Sequence, residues 1–464
     1  MKTIVIIGAG FSGTATAVQL LRQSPVGLHI VMVNRTAGMA RGIAYGTNSP
    51  HHRLNVPAGN MSALADDPQD FLRYCQAYDA SIGAADFVSR KRYGDYLAAL
   101  LNSAQGQCRS GSTLTCLAGE ALALRPCEQG AQVELADGRL IEAAHVVLAF
   151  GHFAPLDPKG IDTDLGAGRY QRDPWAAEGL VSNVAHQPVL LLGCGLTAMD
   201  VALSLERQTP HAPIYLLSRR GLLPLPHRAG PVNTQVDDEL VQRMLEGPAT
   251  VRCYMKEIRR QVRLGEGDGV NWRDVFVMLR PHTATLWKRL AVTERRRFIR
   301  HAQAYWDVHR HRVAPSSFQS FQTAVADGRL KPMAGRIKTL EPCEHGLRIG
   351  IQLRGSHQLT HIEVAQLINC TGPNSDLRRV DDKLIQQLQT DGLISIDPDG
   401  MGLRVDSSLA VKDREGRPLS WLSYVGPMLK ADYWEATAVP ELRQHAWQLA
   451  RKLVAATVQS HLED

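Results

Sequence analysis

One turn occurs twice in this chain and constrains its fold more than any other feature. Near the N-terminus, "TIVIIGAGFSGTATAVQLL" carries an apolar strand into Gly8, Gly10 and Gly13 and on into a helix. From Val189, "VLLLGCGLTAMD" repeats the arrangement with Gly193, Gly195 and, in third place, Ala198. Each position has a physical task. The first glycine lets the chain leave the strand sharply, the second lets backbone approach a pyrophosphate, and the third, or a small residue there, lets the helix pack on the strand. The helix N-terminus then faces the phosphates with unpaired N–H groups and a partial positive charge. Ser12 and Thr197 lie inside the two turns and join them as candidate contacts. Two such units predict an α/β chain with two Rossmann-like dinucleotide-binding domains.

The strand after each turn bears on which nucleotide is held. After the second turn, "APIYLLSRRG" ends in Ser218, Arg219 and Arg220, where an NAD site would place an acid against the ribose hydroxyls. Guanidinium groups there attract a 2′-phosphate through charge-assisted hydrogen bonds, so NADP(H) is expected over NAD(H). After the first turn, "HIVMVNR" ends in Asn34, which can still bond ribose hydroxyls, and the adjacent Arg35 leaves the nucleotide open.

A chain of 464 residues is long for a single core, and an internal match indicates how it divides. "LTCLAGEALALRPCEQG" from Leu114 and "LKPMAGRIKTLEPCEHG" from Leu330 share Leu, Ala-Gly, Leu, Pro-Cys-Glu and Gly in register. Each runs through an expected hairpin into a strand ending at a glycine, "HVVLAFGHFAP" with Gly151 and "VAQLINCTGPNSD" with Gly372. A segment from about 236 to 327 widens the second copy. Its apolar residues recur at three- and four-residue spacing, which predicts a helical insertion. Between the first unit's helix-strand pair and the match, "GIAYGTNSPHHRLNVPAGNMSALADDPQDFLRY" reads as a long loop turning helical at Pro68, with Asp67 as its cap. The last segment offers a strand, a loop with Gly426, and a helix begun by Pro440 just after Ala438 and Val439.

Composition excludes several classes. With 44% hydrophobic and 21% charged residues the chain reads as a soluble globular protein. Its net charge of +6 is local, because Lys288 to Arg312 carries eight Lys/Arg against two acids. The near-neutral remainder argues against a nucleic-acid partner. No run of 18 apolar residues suggests a membrane span, so cytoplasm is the default compartment. The eight cysteines are scattered with no Cys-x-x-Cys, which removes a redox dithiol or zinc knuckle. His51, His52, His309 and His311 lack a carboxylate or thiol at ligand spacing, and no metal is expected. There is no Gly-x-Ser-x-Gly elbow, and the sequence names neither a catalytic acid or base nor an oligomeric state.

Together "GAGFSG", "GCGLTAMD" and "NCTGPNSD" resemble the two-dinucleotide-binding-domain flavoproteins over nearly the whole chain. More narrowly, "GIAYGT", "LNVPAGNMSA", "DPW" at Asp173 to Trp175, "SRRGLLP", "YWDVHRHRVAP" and "YWEATAVPELR" resemble the bacterial FAD/NAD(P)-binding family. The resemblance implies an FAD domain from residues 1–157 and 373–464, interrupted by an NADP domain at 158–372 that holds the helical insertion. It places FAD at Gly8, Gly10, Ser12 and Gly13, with Asn34 departing from the usual acid. It makes Asn55, Pro57 and Met61 candidate flavin neighbours, and sets the N-terminus of the Pro440 helix against the flavin's pyrimidine carbonyl. Gly151, Gly372, Gly426, Ala438 and Val439 complete the candidate cofactor contacts, with NADPH at Gly193, Gly195, Thr197, Ala198, Ser218, Arg219 and Arg220.

Flavin performs its own redox chemistry, which explains the lack of a triad or carboxylate pair. The implied activity is an FAD- and NADPH-dependent oxidoreductase, foremost a monooxygenase acting on a small polar metabolite, with amine N-hydroxylation in view. A reductase or oxidase without oxygen insertion, and a non-catalytic redox sensor, stay open. Distant relatives include amine N-hydroxylating and Baeyer–Villiger monooxygenases, but their Phe-x-Gly-x-x-x-His segment is only echoed by "FGHFAP". Finally, Tyr305, Trp306, His309 and Arg310 recur at helical spacing, and this face with Arg312 is expected to hold an anionic group of substrate or NADPH.

Overall fold

The computed structural model describes residues 1–159, 162–165, 168–176, 187–208, 212–228, 239–266 and 269–463. The chain divides into two compact units, Met1–Phe153 with Ser375–Asp464 and Ala154–Asn374. The boundaries read from sequence, 157/158 and 372/373, lie within a few residues of these. Gly8 and Gly193 belong to different sheets, one in each unit.

In the first unit the strands "KTIVII" (Lys2–Ile7), "LHIVMVN" (Leu28–Asn34) and "HVVL" (His145–Leu148) are apolar nearly throughout, as strands covered on both faces must be. They form the middle of a six-stranded sheet. Lys2–Ile7 pairs in parallel with Leu28–Asn34 on one side and His145–Leu148 on the other. Thr113–Ala118 and Pro418–Tyr424 extend it in parallel, and Ala410–Lys412 adds an antiparallel edge. Helix Phe11–Gln23 packs against helix Arg90–Gly106 and the long C-terminal helix Val439–Glu463. Its first eleven residues are all buried, which explains why it is built from Ala, Thr, Val and Leu.

In the second unit, Val189–Leu192 is flanked in parallel by Ile214–Ser218 and Gln366–Asn369, with Leu330–Cys343 and Tyr170–Gln171 outside them. The five parallel strands follow the same spatial order as those of the first unit. The fifth strand differs in origin, coming from the end of the chain in one unit and from before the glycine turn in the other. The internal match lies at equivalent places. Ala118-Gly119 and Ala334-Gly335 are where the chain leaves the parallel sheet for an antiparallel one, and Gly130 and Gly346 begin the returning hairpin strands.

Helices from Glu239–Glu246 through Pro315–Ala326 make up the insertion. Its expected start near 236 lies outside the described residues. A second expectation is corrected. The helix after the long loop runs from Asp70 to Tyr78, not from Pro68. Asp67 does not cap it through its side chain; the carboxylate is taken by Arg73, which holds it below the usual carboxylate range.

Candidate functional site

Each unit has a candidate site at the carboxyl end of its central parallel strand, Lys2–Ile7 in one and Val189–Leu192 in the other. In the first unit Gly8 has φ +112, and a Cβ there would stand 2.6 Å from the carbonyl oxygen of Ala149. Gly193 has φ +125, and its Cβ would stand 2.3 Å from the carbonyl oxygen of Cys370. The hydrogen bonds around them also correspond. Gly8 N–H donates to Val33 and Gly193 N–H to Leu217, both at 2.8 Å, while Ala149 and Cys370 N–H groups donate to Ile7 and Leu192, again both at 2.8 Å. The helices start identically, with Thr14 N–H on Gly10 at 3.0 Å and Met199 N–H on Gly195 at 3.1 Å. Gly10 carries no side-chain cap, so the N–H groups of the first turn point out free, as an anion-receiving turn requires. Ser12 is buried in that turn and accepts the Thr16 hydroxyl on its carbonyl at 2.8 Å. Gly42 comes close to the first turn, since its Cβ would lie 3.0 Å from the Cα of Gly10. At the second site Gly195 and Thr197 are open, and Ala198 is fully buried beneath them.

The strand ends distinguish the two sites. Asn34 directs its amide nitrogen to Thr36 and Gly38 and offers Oδ1 to the Ala9 N–H at 3.4 Å, so toward a ribose it is an acceptor only. Arg35 is already paired. Its Nε lies 3.3 Å from Glu120, and an Nη bonds Asp382, which also caps helix Lys383–Thr390. Neither Glu120 nor Asp382 was recognisable from sequence, because they come from segments about 85 and 350 residues away and follow no motif. At the second site Ser218 accepts Gly221 N–H at 3.0 Å. Arg220 donates to the Arg300 carbonyl at 3.2 Å and lies 5.7 Å from the Tyr305 ring. Arg219 is exposed and makes no hydrogen bond or ion pair with any described residue. One strand end has its cation neutralised, and the other keeps one free.

The loop expected beside a flavin is pinned by main-chain bonds from Leu54 to Val88, Ala58 to Asp86 and Gly59 to Ala84. Asn55 and Pro57 keep partly open faces. Met61 does not: its side chain is closed into the core, so it supports the loop and offers no surface to a ring. Gly151 and Gly372 have open space where a side chain would go. Gly426 is tightly confined, because its Cβ would lie 2.5 Å from the Tyr424 hydroxyl. That hydroxyl donates to Phe150 carbonyl at 2.9 Å and accepts Met428 N–H at 3.0 Å, tying the ends of two parallel strands together. Sequence reasoning missed Tyr424, whose position in "LSYVGPM" looks like any buried strand residue. Ala438 accepts the N–H groups of Glu441 and Leu442 at the start of the last helix, where Val439 is buried.

His52 bonds Thr47 at 2.8 Å, and His309 packs on Trp272 and Phe276. Among the described residues no helix is long and apolar enough to cross a membrane.

The comparisons agree with this geometry. Residues 5–153 match the protein-family model described as FAD-NAD(P)-binding. No curated protein matches the sequence. Among solved structures, the ornithine N-hydroxylase of Kutzneria sp. 744, solved with reduced FAD, NADP+ and L-ornithine, superposes with a TM-score of 0.64 at 14% identity, covering 98% of this chain and 99% of that one. The L-lysine 6-monooxygenase of Pseudomonas syringae gives 0.64 at 16% identity over 99% of each chain. Thioredoxin reductase of Lactococcus lactis gives 0.52 at 10% identity, over 99% of this chain and 100% of that one. Residues 5–153 of the first unit are thus similar to an FAD-NAD(P)-binding domain, and the whole chain has the fold of these flavoproteins.

Proposed function

We propose that the chain is an FAD- and NADPH-dependent oxidoreductase, with FAD on the first unit and NADPH on the second. The observation that carries this reading is the contrast between Arg35, consumed by Glu120 and Asp382, and Arg219, left open. A 2′-phosphate gains a charge-assisted partner only at the second strand end. The uncapped first turn of helix Phe11–Gln23 supplies N–H groups for the FAD pyrophosphate, and the confined glycines let backbone reach it. FAD held there would supply the hydride-accepting and oxygen chemistry. The protein's part is to bind and orient.

The reaction class we infer is monooxygenation of a small amine, supported by the shared fold with the ornithine and lysine hydroxylases. The likeness to thioredoxin reductase does not extend to its chemistry, since all eight cysteines are unpaired and no Cys-x-x-Cys occurs. The test is to purify the protein, identify released flavin, and follow NADPH and NADH oxidation with ornithine, lysine and cadaverine added in turn. Hydroxylated amine matching the NADPH consumed supports monooxygenation. Peroxide alone with every amine points to an oxidase, and no flavin reduction by either nucleotide removes the enzymatic reading.

A further inference from the structure

The basic insertion contains a guanidinium whose position is not explained by packing alone. Arg312 lies between helices Gln303–Arg310 and Pro315–Ala326. Its backbone runs beside Val313, which exchanges main-chain bonds with Leu225 and His227 at 3.0 Å each. The side chain is only 7% exposed, its Nε is buried, and no described residue accepts a hydrogen bond from it. Its guanidinium faces the Trp272 ring, whose centroid is 5.9 Å from Cζ.

The surroundings are positive. Arg273 covers Trp272 at 4.2 Å and donates to the Pro226 carbonyl at 2.9 Å, and Arg310 and Arg280 add further charge. The nearby carboxylate, Asp274, is engaged by Arg228 at 2.6 Å and caps its own helix through the Asn271 N–H at 2.9 Å. Burial first, and then the neighbouring arginines, pull the Arg312 pKa down to about 10. A buried charge without a hydrogen-bond acceptor is costly, and the neighbouring arginines raise that cost, which Asp274 offsets only in part. The same arrangement becomes favourable when an oxyanion enters, because a guanidinium presents a planar fork matched to carboxylate and phosphate.

We propose that Arg312 anchors an oxyanion site on the helical insertion, taking the phosphate or carboxylate group of a small molecule, with Arg310 and Arg273 raising the local potential. Val313, next to Arg312, packs in one cluster with Cys194 and Ala198 of the second glycine turn, and the inference does not depend on the reaction assigned above.

The experiment is thermal unfolding of the full-length protein at constant ionic strength, with chloride replaced stepwise by inorganic phosphate or by acetate, for wild type, Arg312→Met and Arg312→Lys. A ligand that binds only the folded state raises the midpoint by mass action and saturates. Wild type is expected to show a saturating rise with at least one anion. A stronger response to phosphate marks a phosphate ligand, and a stronger one to acetate marks a carboxylate. Arg312→Met should lose the saturating part, and Arg312→Lys, which keeps the charge without the fork, should need about tenfold more anion. In chloride alone Arg312→Met should be no less stable than wild type. Equal anion responses in wild type and Arg312→Met, no saturable response in wild type, or a marked loss of stability of Arg312→Met in chloride would each overturn the proposal.

Discussion

A Cβ added to Gly13 would stand 1.9 Å from the carbonyl oxygen of Gly8. The third glycine of the first turn is therefore fixed by backbone and not by a movable side chain, whereas its counterpart in the second unit, Ala198, carries a methyl group and is fully buried. The two turns share a fold but differ in how tightly the helix sits on the strand.

From this difference, Gly13→Ala should push helix Phe11–Gln23 away from the strand and cost about 3 kcal/mol or more. Ala198→Gly should cost only about 1 kcal/mol, the usual helix penalty. Thermal midpoints and retained flavin per chain measure both. Comparable losses in the two variants would mean that the first turn adjusts more easily than its geometry implies.

Arg219→Ala should weaken NADPH by about 1.5–3 kcal/mol, the scale of a charged hydrogen bond, and leave NADH little changed. Arg220→Ala should do less, because its guanidinium is already held by the Arg300 carbonyl. Arg35→Ala should leave the nucleotide preference alone. Flavin reduction rates against nucleotide concentration give the affinities. Parallel weakening of NADPH and NADH by Arg219→Ala would sink the 2′-phosphate argument.

The two glycine turns, the strand ends and the internal match were legible in the sequence because each rests on local chemistry: a residue that must lack a side chain, or an apolar run covered on both faces. What sequence could not supply were pairings made by distant segments. Arg35 and Arg219 both follow the strand after a glycine turn, and only the fold brings Glu120 and Asp382 to Arg35. Met61 looked like a surface of the loop, yet the fold encloses it. The helix expected at Pro68 failed for a nearby reason: Arg73, one turn into the helix, draws the Asp67 carboxylate away from the cap.

Tyr424→Phe tests one of those distant pairings. It removes the hydroxyl that joins the Phe150 carbonyl to the Met428 N–H and leaves both main-chain groups buried without that partner. The expected loss is about 1–3 kcal/mol, read as a fall in the urea midpoint at unchanged slope. Flavin retention should fall as well, since the hydroxyl holds the Phe150 and Gly426 turns together. An unchanged midpoint would show that water replaces it.

The last prediction concerns acid. His145 is 8% exposed in the central sheet, with Nε2 3.0 Å from the Ser423 hydroxyl. Burial first, and then the positive charge of Lys452, lower its pKa to about 4, against about 6.5 in an unfolded chain. Between those values the unfolded chain binds a proton that the folded chain does not, so the unfolded state holds more protons and stability rises with pH. The contribution is fully present above about pH 6.5 and is lost as pH falls toward 4, at up to about 1.4 kcal/mol per unit. Gln keeps a polar atom for Ser423 and does not titrate. Urea unfolding of wild type and His145→Gln at pH 7, 6 and 5 should therefore converge as the pH drops, the variant being less stable at pH 7 and nearer to wild type at pH 5. A constant gap across the three pH values would mean that His145 takes up its proton equally in both states and that the acid sensitivity lies elsewhere.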